Sequence, residues 1–155
     1  MIKGTLVSIH ICASAAAPMV SVPQARAVPG RGLEGDRYFT GTGTYSHHEP
    51  QPDNEVTLIE SEAIEALKRD YKIEIPAGDS RRNLVTRDVP LNHLAGREFQ
   101  IGAVTLRGLR LCEPCGHLEE VSGRPVRKGL VHRGGLRAQV LTEGMIRVGD
   151  SIVLR

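Results

Sequence analysis

The chain has 155 residues, 40% of them hydrophobic and 25% charged, with five aromatic side chains and no Trp. That length is enough for one buried core, so residues 1–155 are expected to form a single domain resting on Val, Leu, Ile and Ala. The scarcity of aromatics argues against a stacking platform for single strands, and a net charge of +2 is too small for bulk nucleic-acid binding.

The charge is unevenly spread: residues 1–78 carry 7 basic and 10 acidic groups, residues 79–155 carry 13 and 8. Sixteen of the twenty basic residues are Arg, whose planar fork suits phosphate and carboxylate. Three cysteines make a disulfide framework a poor explanation and favour reduced thiols in a cytoplasmic setting. No run approaches the ~20 apolar residues of a membrane span. Lys3 followed by apolar residues up to Ala17 loosely mimics a signal peptide, but Ser8 and His10 interrupt it.

Residues 3–12 instead alternate as a strand, with Val7, Ile9 and Ile11 on one face. Residues 13–31 hold three prolines and read as a loop with a short edge strand near 20–24. Gly30-Arg31-Gly32-Leu33-Glu34-Gly35-Asp36-Arg37 is glycine-punctuated turn structure, and residues 40–54 form a second long loop, a kind often functional. Residues 55–60 are a strand running into a helix over 61–71. Ile64, Leu67 and Tyr71 give that helix an apolar stripe, Ser61 a cap, and Glu65 and Arg69 an i,i+4 pair.

Short strands follow at 83–86, 97–101 and 104–112, with a turn or single helical turn at 91–96. In 104–112 the alternation slips between Leu106 and Leu109, which a β-bulge at Gly108 would repair. A short helix is expected over 113–121, then strands at 138–142, 145–148 and 151–154. Many short strands with two or three short helices make the fold mainly β, in the form of a β-barrel or folded sheet.

Chemistry concentrates in Cys112-Glu113-Pro114-Cys115. A C-x-x-C element serves half a zinc site, a dithiol pair, or one activated thiolate. Zinc needs two further ligands, and only Cys12, His117 and His132 are of suitable type, with no familiar spacing. A thioredoxin-like pair belongs in an α/β pattern that is missing here. A single thiolate fits Cys115, which follows Pro114 in the first turn of the expected helix. Two small core cysteines are the alternative explanation of the element. Arg81-Arg82-Asn83 offers an anion-binding Arg82 with Asn83 as a directed amide, or merely a solvated charge pair. Because adjacent residues on a strand face opposite ways, one arginine is expected inward and the other in solvent. In His132-Arg133-Gly134-Gly135 the glycines permit close approach of backbone to a ligand, or form an ordinary turn. His47-His48 reads as loop.

The ordered set of Gly32-Leu33-Glu34-Gly35-Asp36-Arg37, the strand–helix at 56–67, Arg81-Arg82-Asn83-Leu84-Val85-Thr86, residues 96–102, Cys112-Glu113-Pro114-Cys115, Arg133-Gly134-Gly135 and Gly144-x-x-x-x-Gly149-Asp150 resembles the MOSC domain, the C-terminal domain of molybdenum cofactor sulfurases that also occurs as free-standing small proteins. The resemblance implies a β-barrel-like MOSC fold and binding of the molybdenum cofactor (molybdopterin). It implies that Cys115 is the metal ligand and catalytic thiolate, and that Arg82, Asn83, Arg133, Gly134 and Gly135 lie by the cofactor. Free-standing members include reductases of N-hydroxylated compounds, so a small-molecule substrate and an external electron-donor protein are expected, with neither nucleic acid nor membrane as partner. The chain is shorter than those reductases. A sulfur or cofactor carrier using a Cys115 persulfide is the alternative, and a C-x-x-C thiol-redox or zinc protein a third reading.

Overall fold

The computed structural model describes residues 3–14, 17–40, 54–114 and 125–154. In chain order the elements are β1 (Lys3–Ile11), β2 (Val20–Val22), β3 (Gln24–Val28), β4 (Gly32–Leu33), α1 (Arg37–Thr40), β5 (Val56–Glu60), α2 (Ser61–Tyr71), β6 (Leu84–Arg87), β7 (Glu98–Ile101), β8 (Val104–Leu111), β9 (Leu136–Val140), β10 (Gly144–Arg147) and β11 (Ser151–Leu154). Single 3-10 turns occupy Ala77–Ser80 and Leu91–Leu94. The fold is mainly β, as the strand count predicts.

Seven strands close into a barrel. The order β11-β7-β8-β9-β5-β6-β1 is completed by pairing of β1 with β11, and β2 extends from β1 outside the ring. Closure removes the open edges that a sheet would otherwise expose. β10, β3 and β4 form a second, smaller sheet. Among the described strands every pairing is antiparallel except β5 with β6, which α2 connects, and an isolated parallel bridge joins Ala95 to Gly108.

The barrel interior is aliphatic, with Leu6, Leu58, Leu84, Ile101 and Leu136 fully buried and Phe99 the one bulky ring. A second cluster lies outside the wall, where Ile59 and Val85 meet Ala63 and Leu67 of α2 together with Val126 and Leu130. β5 is therefore buried on both faces from Val56 through Ile59, as expected for a strand with a helix on one side and a core on the other.

The bulge predicted in β8 is present, with the register slipping between Gly108 and Arg110. A second bulge changes β1. Leu6 pairs with Thr86 but Ser8 with Val85, so Val7 is the extra residue and is 41% exposed while Leu6 is buried. The expected face of Val7, Ile9 and Ile11 is thus broken, and Leu6 takes Val7's place in the core. α2 matches its predicted span but not its predicted contacts. Ser61 does not cap it: the N-cap position is Glu60, with no side-chain bond there, and the Ser61 hydroxyl meets Glu62 and Arg87 instead. Glu65 bonds Arg87 and Arg69 bonds Asp70, so the expected Glu65–Arg69 pair is not made. Ala63, Ala66 and Leu67 form the buried face, while Tyr71 is exposed.

Candidate functional site around Arg82 and the cysteine segment

Arg81, Arg82 and Asn83 link a 3-10 turn to β6. Arg81 closes the turn in the left-handed conformation, with φ of 63°. The two arginines are therefore not successive residues of a strand. Both side chains turn inward, each 8% exposed, whereas strand alternation predicts one of them in solvent.

Arg82 reaches across to the far segments. Its Nε donates to the carbonyl of Gly134 at 2.7 Å and its Nη2 to the carbonyl of Cys112 at 3.1 Å. The Cys112 amide donates to the Gly135 carbonyl at 2.7 Å. A side chain on Gly134 would overlap the Cys112 carbonyl and crowd Pro114, and one on Gly135, at φ 112°, would overlap the carbonyl of Leu58. The close approach that these glycines permit is to the chain's own backbone. Cys112 is buried with a free thiol. The structure thus brings together Arg82, Gly134, Gly135 and the first three residues of Cys112-Glu113-Pro114-Cys115.

Asn83 is fully buried, and both ends of its amide are used by the fold. Its Oδ1 accepts from the Thr57 amide at 3.0 Å and the Thr57 hydroxyl at 3.2 Å, and its Nδ2 donates to the His10 carbonyl at 3.1 Å. Asn83 thereby ties β1, β5 and β6 together where the backbone ladder begins.

Arg133 points elsewhere. Its guanidinium is half-exposed and lies 3.9 Å from Asp70 at the end of α2. It lines a cleft of about 470 Å³ with Glu60, Glu62, His93 and His132. Burial raises the carboxyl of Glu60 above its usual range, partly opposed by the Leu91 amide it accepts from.

Beside Arg81 lies a group that the sequence reading did not assemble. Arg37, 5% exposed, donates from Nη1 to Asp36 Oδ1 at 3.2 Å and to the sulfurs of Cys12 and Met19 at 3.5 Å each, and from Nη2 to the Arg81 carbonyl at 3.0 Å. Arg81 donates to the Ala17 carbonyl and, from Nη2, to Cys12 Sγ at 3.6 Å. Asp36 is fully buried and also accepts from the amides of Cys12 and Tyr38. Arg37 alone pairs with the Asp36 carboxylate, and the other acceptors described for the two guanidinium groups are carbonyls and weakly accepting sulfurs. The Arg81 guanidinium is lowered from its usual value, first by burial and then by the charge of Arg37. The glycine-punctuated turn before Arg37 was the available signal, but nothing local reveals that it packs on residues 44 positions later.

Cys115 itself, His47, His48, His117, most of the helix expected over 113–121 and nearly all of the 40–54 loop lie outside the described residues. Among the described residues, no three His, Cys, Asp or Glu side chains are placed to hold a metal ion, and no helix is long and apolar enough to cross a membrane.

A closed seven-stranded barrel, with buried arginines of which one holds the Cys112 carbonyl, defines a small β-barrel protein. The family model for the MOSC domain matches residues 44–153, and the chain belongs to the MOSC domain family. No curated protein sequence matches. Among solved structures the chain is similar to the YuaD protein of Bacillus subtilis, with a TM-score of 0.79 at 15% identity over 97% of this chain and 94% of that one. It is also similar to YiiM of Geobacillus stearothermophilus, at 0.75 and 17% over 98% of this chain and 75% of that one. YiiM of Escherichia coli follows at 0.70 and 16%, over 98% and 69%. At such identities the likeness is one of fold.

Proposed function

We propose that this MOSC protein binds the molybdenum cofactor with the Cys115 thiolate as metal ligand, and reduces N-hydroxylated small molecules using electrons from an external donor protein. The observation that carries the reading is the pairing of two features. The Cys112 carbonyl, three residues before Cys115, is held by Arg82, and the arginine adjacent to Arg82 in sequence belongs to a buried group that, among the described residues, holds two guanidinium groups and one carboxylate.

That donor set fits a phosphorylated pterin. Buried cations need an anionic partner, and a phosphate offers oxygens that outcompete sulfur for guanidinium N–H groups. Arg37 and Arg81 would hold the phosphate, with Asp36 fixing Arg37. Arg82, Asn83, Gly134 and Gly135 would shape the site by setting the backbone around it, and Arg133 would line its outer cleft. A thiolate is a suitable soft ligand for molybdenum. The bound cofactor supplies the metal that takes the substrate's oxygen. The burial of Cys112 supports an asymmetric C-x-x-C, in which Cys115 alone reacts, over a symmetric dithiol.

The test is metal and pterin analysis of protein produced in a cofactor-competent host, beside Cys115→Ser. Stoichiometric molybdenum in the wild type and its loss in the variant are expected. Wild-type protein without molybdenum sinks the reading. Cofactor without turnover of an N-hydroxylated base under a chemical reductant would make the chain a carrier.

A further inference from the structure

The cleft of about 470 Å³ lies between α2 and the 3-10 turn that follows Pro90, with residues 131–133 as its third wall. Small-molecule sites typically enclose roughly 300–1,000 Å³ and combine apolar walls with a few convergent polar groups. Ala63, Ala66 and Val131 supply the apolar part here, and Glu60 and Arg133 bring opposite charges to it. Arg37, Arg81 and Arg82 are not among its walls, so it stands apart from the buried arginines.

Glu60 ends β5, and its Oε2 accepts the Leu91 amide at 3.3 Å, which fixes the carboxyl at the cleft. Burial raises that carboxyl above its usual range, and perturbed groups of this kind gather at functional clefts. Glu62 is occupied by the fold: Oε2 accepts the Asp88 amide at 2.9 Å and Oε1 the Ser61 hydroxyl at 3.2 Å. Arg133 has one ion pair among the described residues, with Asp70 at 3.9 Å. That carboxylate is already bound by Arg69 at 2.7 and 2.8 Å. The half-exposed guanidinium of Arg133 therefore keeps donors for a closer anion.

Opposite charges in one small space select what can enter it. A simple anion drawn to Arg133 meets the charge of Glu60 and Glu62, and a simple cation drawn to Glu60 meets that of Arg133. A molecule with both charges finds a partner at each end. We propose that this cleft binds a small zwitterion, of amino-acid or dipeptide size, with its ammonium group on Glu60 and its carboxylate on Arg133. The inference goes beyond the cofactor reading and does not rest on it.

The full chain, Glu60→Gln and Arg133→Gln are titrated by calorimetry at neutral pH. The probes are the zwitterions β-alanine, γ-aminobutyrate and glycylglycine, beside the single charges butylamine and butyrate. At least one zwitterion should saturate a single site, about tenfold more tightly than either single charge. Glu60→Gln should weaken that zwitterion and butylamine by about tenfold and leave butyrate no weaker. Arg133→Gln should weaken the zwitterion and butyrate and leave butylamine no weaker. This crossed pattern is one that a general loosening of the fold does not produce. Should Glu60→Gln fail to fold, Arg133→Gln, whose side chain is half-exposed, carries the test alone. The proposal is overturned if no zwitterion saturates, if butylamine or butyrate binds as tightly as the zwitterions, or if a folded variant binds every probe like the wild type or weakens all alike. Molybdenum content does not enter these outcomes, so a failure here leaves the cofactor reading standing, and the reverse.

Discussion

The Arg82 guanidinium lies 3.1 Å from the carbonyl of Cys112, thirty residues further along the chain, and is itself buried. A charged donor in that position has no water to fall back on. It joins the start of β6 to the segment between β8 and β9, so the geometry before Cys115 depends on a side chain remote in sequence.

Removing that guanidinium orphans two carbonyls and leaves a cavity. Arg82→Ala should lose about 3 kcal/mol of stability, read as a lowered urea midpoint. Arg82→Lys keeps the charge but lacks the planar fork that reaches both carbonyls. It should recover less than half of the loss. Full recovery with Lys would show that charge, not the forked geometry, holds the segment.

The glycine turn makes a sharper claim. Gly135→Ala puts a methyl into the Leu58 carbonyl at φ 112°, whereas Gly149→Ala, at φ 95°, meets open space. The first should lose about 3 kcal/mol or more, through clash and strain together. The second should lose only about 1 kcal/mol, for backbone strain alone. Equal losses in thermal or urea melts would mean that packing against β5 is unimportant.

These contacts mark the boundary of what the sequence discloses. The bulge in β8 is legible because the apolar parity changes at Gly108. The bulge in β1 is not, because Val7, Ile9 and Ile11 alternate faultlessly; it arises from long-range pairing, in which β1 meets β6, β11 and β2 along its length. Arg81 misleads for a related reason. Its neighbours read as a strand, but the preceding 3-10 turn closes through it in the left-handed conformation and swings its side chain towards Cys12. Barrel and α2 follow from periodicity. The Arg37–Arg81–Asp36 group follows from a contact between distant loops, which leaves no trace in local spacing.

That group has a direct consequence in solution. If Arg37 and Arg81 lack one counter-charge, inorganic phosphate should stabilise cofactor-free protein by mass action, by about 2.7 kcal/mol at a hundredfold excess over its dissociation constant. The melting temperature should rise with phosphate and not with matched chloride. Arg81→Gln should abolish the rise, while Arg133→Gln, whose guanidinium faces Asp70, should leave it intact. No phosphate response in the wild type would mean that Asp36 and the sulfurs satisfy the pair.

The outer cleft carries a pH signature. Burial raises the Glu60 carboxyl above the usual range, against the weaker opposing effects of the Leu91 amide, Arg133 and His93, while Glu62 adds to the rise. A raised folded value means that the folded chain holds this proton more tightly than the unfolded chain. Stability therefore falls as pH rises from the ordinary carboxylate range through the folded value, and is level above it. Glu60→Gln keeps an oxygen for the Leu91 amide and has no charge to bury. Its stability relative to wild type should accordingly be better at pH 7 than at pH 4, read from paired urea titrations. Glu55, raised by burial in the same direction, is present in both proteins and cancels from the comparison. A difference that is flat with pH, or that favours wild type more at pH 7, would show that the Glu60 carboxylate is solvated rather than buried in the wall of the cleft.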